Sequence, residues 1–314
     1  MSPTAIQSIW LTGSRGFIGG HLVAALRHVC PQLVCLTSSA PAHAVGKDIY
    51  FQYLNHSSRS EIQNALQKLG VPEVFIHLGW GAMTDPGSSE HLERNVSVSQ
   101  TLIDTLFESG LSTFIFIGSI NEYGSRSGCL TEDLPPEGRL TNYARGKAIV
   151  TSYGLEQSSR YGKTFISARL SYTYGPGQRS GSLLNKLYRC YHERVAPNLG
   201  PCEHFRDYIY VGEVAEGIKR LCGIQTSAIV NLGSGRCIQV KDLVQRFWVE
   251  LGGLPDQLHF GASPMREGEP DQPYSYVSLE KLQELACWSP VLTIDEGVRL
   301  TIQSLDRERT AGQS

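Results

Sequence analysis

Residues 11–20, LTGSRGFIGG, constrain the fold of this 314-residue chain more than any other stretch. Gly13, Gly16 and Gly19 stand in a G-x-x-G-x-x-G spacing between an apolar run, SIWLT (8–12), and a helical periodicity from Phe17 to Val29. Between a strand and a helix, the first glycine permits a tight turn. The second lets a phosphate approach the backbone, and the third lets helix pack on strand. The free N–H groups and positive dipole end of the helix suit a pyrophosphate.

The alternation continues. QLVCLTS (32–38), EVFIHLGW (73–80), TFIFIGS (113–119) and TFISARLS (164–171) read as strands, with helices over about 91–109 and 143–161. Strands apolar on both faces belong to a parallel sheet covered on both sides. After residue 171 comes a turn-rich stretch, YTYGPGQRSG. DYIYV (207–211) and IVNLGSG (229–235) then return to strand character before a loop, GASPMREGEPDQP (261–273). The expected class is α/β: a Rossmann-type doubly wound parallel sheet from residues 1–172 plus about 207–232. A smaller interleaved C-terminal substrate lobe takes 173–206 and 233–312.

A net charge of −2 with 18% charged residues gives no electrostatic footprint for nucleic acid. No apolar run reaches membrane-spanning length, and MSPTAIQSIWLTG has no basic region or cleavage site of a signal peptide. Eight cysteines without a CxxC pair read as reduced, cytoplasmic thiols. Nine histidines without HExxH spacing predict no metal.

The second strand ends CLTSSA, so Thr37, Ser38 and Ser39 stand where NAD binders carry a ribose-binding carboxylate. No acid appears until Asp48. Hydroxyls tolerate a 2′-phosphate that a carboxylate would repel. Arg15, at the mouth of the same pocket, is placed to pair with that phosphate. Missing acid and added cation together predict NADP(H).

SINEYG (119–124) follows a strand, and YARGK (143–147) opens a helix. Tyr143 and Lys147 are one turn apart on one face. A phenol near pKa 10 needs help to act at neutral pH. A nearby ammonium, with the positive nicotinamide of the oxidised complex, favours the phenolate. Ser119, at the carboxyl end of its strand, lies where open α/β sheets bind ligands.

These motifs resemble the extended short-chain dehydrogenase/reductases, the superfamily of nucleotide-sugar epimerases, dehydratases and reductases. The resemblance covers nearly the whole chain. TGSRGFIGGHL resembles the family's cofactor turn, VFIHLGWGA its fourth strand, and RNVSVSQTLIDTL its helix with a buried asparagine, Asn95. RLSYTYGPGQ, FRDYIYVGEVAEGI and NLGSGRCIQVKDLV resemble its later signatures. Residue chemistry and resemblance together give the expected cofactor contacts as Gly13, Arg15, Gly16, Phe17, Ile18, Gly19, Thr37, Ser38, Leu78, Gly79, Trp80, Asn95, Tyr143 and Lys147. The resemblance implies catalysis by Ser119, Tyr143 and Lys147. Substrate contacts fall to Ser119, Asn121, Tyr172, Arg206 and Arg266, the two arginines on the diphosphate.

Departures from the family narrow the reaction. Dehydratases of this group carry Asp and Glu after the hydroxyl residue; here Ile120 and Asn121 stand there. Tyr172 replaces a common asparagine. HLGW, RLSYTYG and the basic glycine turn look more like the family's reductase branch, which implies NADPH-dependent reduction of the C4 ketone of a nucleoside-diphosphate 4-keto-6-deoxyhexose. The alternative is an NAD(P)-dependent epimerase, or a bifunctional epimerase-reductase drawing on Cys190, His192, Cys202 or His204. The helices over 91–109 and 143–161 are expected to pair across a homodimer.

Overall fold

Strand β1 (Ser8–Thr12) is buried along its whole length, and its side chains alternate between two cores. Ile9 and Leu11 join Leu22 and Leu26 of helix α1 (Phe17–Leu26). Trp10 joins Val34, Phe75 and Phe114 on the other face. Such a strand is stable only inside a sheet covered on both sides. The computed structural model, which describes residues 6–38, 49–264 and 274–311, has that sheet.

After α1 come β2 (Gln32–Thr37), β3 (Ile49–Tyr53), α2 (Arg59–Leu69), β4 (Val74–His77), α3 (Val96–Glu108), β5 (Thr113–Ser119) and β6 (Gly128–Leu130). Next are α4 (Asn142–Tyr161), β7 (Thr164–Leu170), β8 (Tyr172–Tyr174), α5 (Leu183–Glu193), β9 (Phe205–Tyr210), α6 (Val211–Leu221) and β10 (Ala228–Leu232). The chain closes with β11 (Cys237–Gln239), α7 (Val240–Glu250), β12 (Ser275–Val277), α8 (Glu280–Ala286) and α9 (Ile294–Ala311). Among the described residues, seven parallel strands lie in the order β3-β2-β1-β4-β5-β7-β10. The winding reverses between β1 and β4, which opens a crevice at their carboxyl ends. There Thr12 stands opposite His77 in register.

Helices α1, α6 and α8 cover one face through Leu22, Ile218 and Leu282. Helices α2, α3 and α4 cover the other through Ile62, Leu102 and Val150. The helix expected over 91–109 begins as a turn of π-helix, His91–Asn95, before α3. Such turns cluster at functional sites, and this one turns His91 and Asn95 inward, both buried.

The strand expected over 207–211 is β9. It lies in a separate three-stranded sheet, β11-β9-β8, parallel to β8 and antiparallel to β11. Behind it, Leu187 of α5, Phe247 of α7 and Val298 of α9 form a third core. Asp207, fully buried, joins this sheet to the rest. It accepts from Ser234 N at 2.7 Å, Gly235 N at 3.0 Å, Val277 N at 3.2 Å and Ser171 Oγ at 3.2 Å. Among the described residues no helix is long and apolar enough to cross a membrane.

Candidate active site

The crevice holds two adjoining cavities that share Gly13, Gly16, Gly79 and Trp80. The first, about 510 Å³, is lined by Arg15, Thr37, Ser38, His56 and Asn95. The second, about 730 Å³, is lined by Phe17, Ile18, Gly19, Leu78, Ser119, Tyr143, Lys147 and Tyr172.

The glycine turn fits a dinucleotide. Gly13 has φ +73°, and a Cβ there would lie 2.8 Å from Gly79 N. A Cβ on Gly19 would lie 2.0 Å from the Gly13 carbonyl. Neither contact can be relieved by a side-chain shift, so glycine is required at both. Two buried polar atoms in the first cavity, Thr37 Oγ1 and His56 Nε2, make no hydrogen bond within the chain. Such atoms in a cleft are open to a ligand's polar groups. The residues present therefore suit an adenosine diphosphate moiety here, with the nicotinamide end in the second cavity.

Helix α4 is fixed at its start. Thr141 Oγ1 caps it by accepting from Ala144 N at 3.2 Å. Tyr143 N donates to the Pro86 carbonyl at 3.0 Å, and Asn142 Nδ2 to the Gly87 carbonyl at 2.7 Å. The loop after β4 is thereby stapled to the first turn of α4. His91 completes the staple. Trp80 Nε1 donates to its Nδ1 at 2.9 Å, so Nε2 carries the proton and donates to the Asp85 carbonyl at 2.9 Å. Asn95 holds the same loop from below, exchanging hydrogen bonds with Gly81 N at 3.0 Å and Gly81 O at 3.2 Å.

Lys147 is buried. Its Nζ donates to the Ile117 carbonyl at 2.7 Å and lies 3.8 Å from the centre of the Trp80 ring. Burial brings its pKa down to about 7, against the opposing pull of the Glu122 charge. Burial pushes the Tyr143 phenol up to about 12; a hydrogen bond with the Ser119 side chain pulls the other way, and the Glu122 charge adds to the rise. In the protein alone desolvation is the larger effect on Tyr143; the shift toward phenolate expected in the oxidised complex would work against it.

Ser119 caps a short turn of 3-10 helix, Ile120–Tyr123, accepting from Asn121 N at 3.2 Å. Glu122 reaches back to accept from Ser119 N at 2.8 Å. Its second oxygen accepts from Arg169 Nε at 3.1 Å and Thr151 Oγ1 at 3.2 Å. The expected sites did not include this buried carboxylate, although S-x-x-E in SINE is the sequence signature of the reciprocal cap.

His77 is buried in a chain of hydrogen bonds beneath the crevice, to Thr12 Oγ1 at 2.7 Å and Ser99 Oγ at 3.0 Å. Burial, reinforced by the Lys147 charge, depresses its pKa well below the ordinary imidazole value.

Other expected residues are placed elsewhere. Arg206 is buried, donates to the Phe205 carbonyl at 2.9 Å and lies 5.4 Å from the Tyr172 ring; it does not line either cavity. Asn121 contributes its backbone N–H to Ser119, and its side chain lines neither cavity. Arg266 lies outside the described residues. Cys190 and His192 line a different cavity at the far end of α5. Cys202 and His204 line neither half of the crevice.

A doubly wound sheet, a glycine turn at its reversal point and a Ser-Tyr-Lys cluster over it are the parts of a short-chain dehydrogenase-type oxidoreductase. The chain belongs to the NAD dependent epimerase/dehydratase family, whose model matches residues 9–233. It is 24% identical to the dTDP-4-dehydro-6-deoxyglucose reductase of Escherichia coli, across 95% of this chain and 98% of that protein. It is 23% identical to the dTDP-6-deoxy-L-talose 4-dehydrogenase (NAD(P)(+)) of Kitasatospora kifunensis, across 94% and 95%. The UDP-glucose 4-epimerase of Thermotoga maritima, solved with UDP-glucose, superposes with a TM-score of 0.83 at 21% identity, covering 96% of this chain and 100% of that one. The dTDP-glucose 4,6-dehydratase of Bacillus anthracis, solved with NAD, gives 0.84 at 18% identity, covering 97% and 98%.

Proposed function

We propose that this protein is an NADPH-dependent 4-reductase of nucleoside-diphosphate 4-keto-6-deoxyhexoses. The observation that carries the reading is the convergence of Ser119, Tyr143 and Lys147 on one cavity roomy enough for a sugar beside a nicotinamide. When bound, the reduced nicotinamide supplies a hydride for C4. Tyr143 donates its proton to the C4 oxygen, so the ketone becomes an alcohol. Ser119 Oγ already accepts from Asn121 N. Its own proton is therefore available to the same oxygen. Lys147, with Nζ 5.8 Å from the Tyr143 ring centre, stabilises the phenolate left behind.

NADPH is preferred on the charge of the first cavity. Thr37 and Ser38 close β2 without a carboxylate, and Arg15 lines the same wall. Glu90 also lines it, but its carboxylate is paired with Arg94 at 3.2 Å. The relatives named a 4-keto reductase and a 4-dehydrogenase support the same reaction class. The positions of Cys190, His192, Cys202 and His204 favour plain reduction over a bifunctional enzyme. All eight cysteines lie among the described residues and none is in a disulfide, which suits a reducing cytoplasm. Exposed Ile149 on α4 suits a homodimer through α3 and α4.

The test is NADPH oxidation by the purified protein with dTDP-, CDP-, GDP- and UDP-linked 4-keto-6-deoxyhexoses, with NADH as comparison. Consumption with one of them, lost in Tyr143→Phe, supports the reductase. A rearranged sugar without net NADPH consumption moves the assignment to the epimerase.

A further inference from the structure

We propose that Glu122 is a positioning residue for this reduction: its buried carboxylate fixes Ser119 as a hydrogen-bond donor and holds negative charge behind the Tyr143–Lys147 pair. The kinetic part rests on the reductase reading; the part concerning charge does not.

Glu122 is 1% exposed, and its two oxygens do different things. A carboxylate needed only as partner to Arg169 would turn both oxygens to the guanidinium fork. Here only Oε2 faces Arg169, while Oε1 takes the Ser119 N–H at 2.8 Å. The approach is close: a Cβ on Gly118 would lie 2.6 Å from that oxygen. The reciprocal cap fixes Ser119 at both ends, its N–H on Glu122 and its Oγ on Asn121 N. With the backbone held and one Oγ acceptor site filled, the hydroxyl proton is left for Tyr143 or the ketone oxygen.

The charge acts on the same pair. The groups facing Lys147 are Tyr143 on its own helix, His77 and Trp80 from β4 and its loop, Phe116 and Ile117 of β5, and Glu122 from the turn. Arg169 lies behind Glu122 and is bonded to it. His77 is held neutral, so Glu122 is the anion of the set. It favours the proton-bound forms of both Tyr143 and Lys147.

A double-mutant cycle with Ser119→Ala separates this role from a structural one. Glu122→Gln keeps the side-chain volume and an acceptor for Ser119 N. It is expected to lower kcat about tenfold or more, with KM little changed. In the Ser119→Ala background the same substitution should cost less, because only the part carried by charge remains. Without any substrate, NMR of Cε-labelled lysine, assigned with Lys147→Arg, should show the Lys147 midpoint falling by on the order of one pH unit in Glu122→Gln. An unchanged midpoint, or an equal kcat loss with and without Ser119, overturns the proposal. Should Glu122→Gln not fold, Thr151→Val, which removes one bond from the carboxylate and keeps its charge, enters the same kinetic cycle under the same criterion. If the wild-type protein reduces no ketosugar, the reductase reading fails and the lysine titration alone decides.

Discussion

The Lys147 ammonium lies 3.8 Å from the centre of the Trp80 ring, and that ring is in turn hydrogen-bonded to His91. One indole therefore steadies a buried cation and satisfies a buried imidazole. Trp80→Leu removes a cation–π contact of about 1–2 kcal/mol. It also leaves His91 Nδ1 with only the longer contact from Asn95 Nδ2 at 3.4 Å, a cost of about 1–2 kcal/mol. Urea denaturation should show a loss of about 2–4 kcal/mol. Trp80→Phe, which keeps a ring over the lysine, should lose about half as much.

Lys147 also sets a pH dependence of stability. Its folded pKa is about 7, below the ordinary 10.5. Between those values the unfolded chain binds a proton that the folded chain does not, so stability rises with pH across that window, by up to about 1.4 kcal/mol per pH unit. Denaturation midpoints at pH 7, 8.5 and 10, compared with Lys147→Met, isolate this slope; the variant should lack it.

His77 acts in the acid range. Its folded pKa lies well below the ordinary 6.5. As pH falls through 6.5 the unfolded state gains a proton that the buried ring refuses, so stability falls, again by up to about 1.4 kcal/mol per unit. The wild-type protein should therefore weaken between pH 6.5 and 5 more steeply than His77→Gln.

Arg15 tests the cofactor. A charge-assisted bond to a 2′-phosphate contributes about 1.5–3 kcal/mol. Arg15→Ala should raise the KM for NADPH about tenfold to a hundredfold and leave that for NADH within about twofold. Equal loss with both cofactors would remove the argument for NADP(H).

Two neighbouring glycines of α1 should respond oppositely. Gly19→Ala drives a Cβ to 2.0 Å from the Gly13 carbonyl, while a Cβ on Gly20 meets nothing within 4 Å. Gly19→Ala should lose cofactor binding and about 3 kcal/mol or more of stability. Gly20→Ala should gain about 0.5–1 kcal/mol through helix propensity. Thermal melting with and without NADPH reads both.

What the chain announces in sequence is the part whose physics is local. The glycine turn, the apolar strands β1, β4, β5 and β7, and the Tyr143–Lys147 spacing all follow from short-range pattern. Strand β3 is less legible, because it is an edge strand with exposed Tyr50 and Tyr53 and no continuous apolar run. Strand β9 reads as a strand, but its sheet depends on distant partners, Tyr172 opposite Tyr208 and Cys237 opposite Asp207. Arg206 shows the limit most clearly. The resemblance assigns it to the substrate diphosphate, while its burial beside Tyr172 is set by how β8 and β9 pair. Glu122 is visible as a cap, but its contact with Arg169 joins the turn after β5 to strand β7 and has no local signature.

The chain passes from β7 to β8 across a single residue, Ser171. It then returns through α6 to place β10 in the main sheet, leaves again for β11, and finally lays β12 beside β6. The two bodies are braided rather than strung in sequence. No contiguous segment carrying both β8–β9 and β11–α7 could be lifted out as an exchangeable specificity cassette without also removing β10 from the cofactor sheet. Point substitution along the shared crevice is therefore the change of substrate that leaves both bodies, and the dinucleotide half, in place.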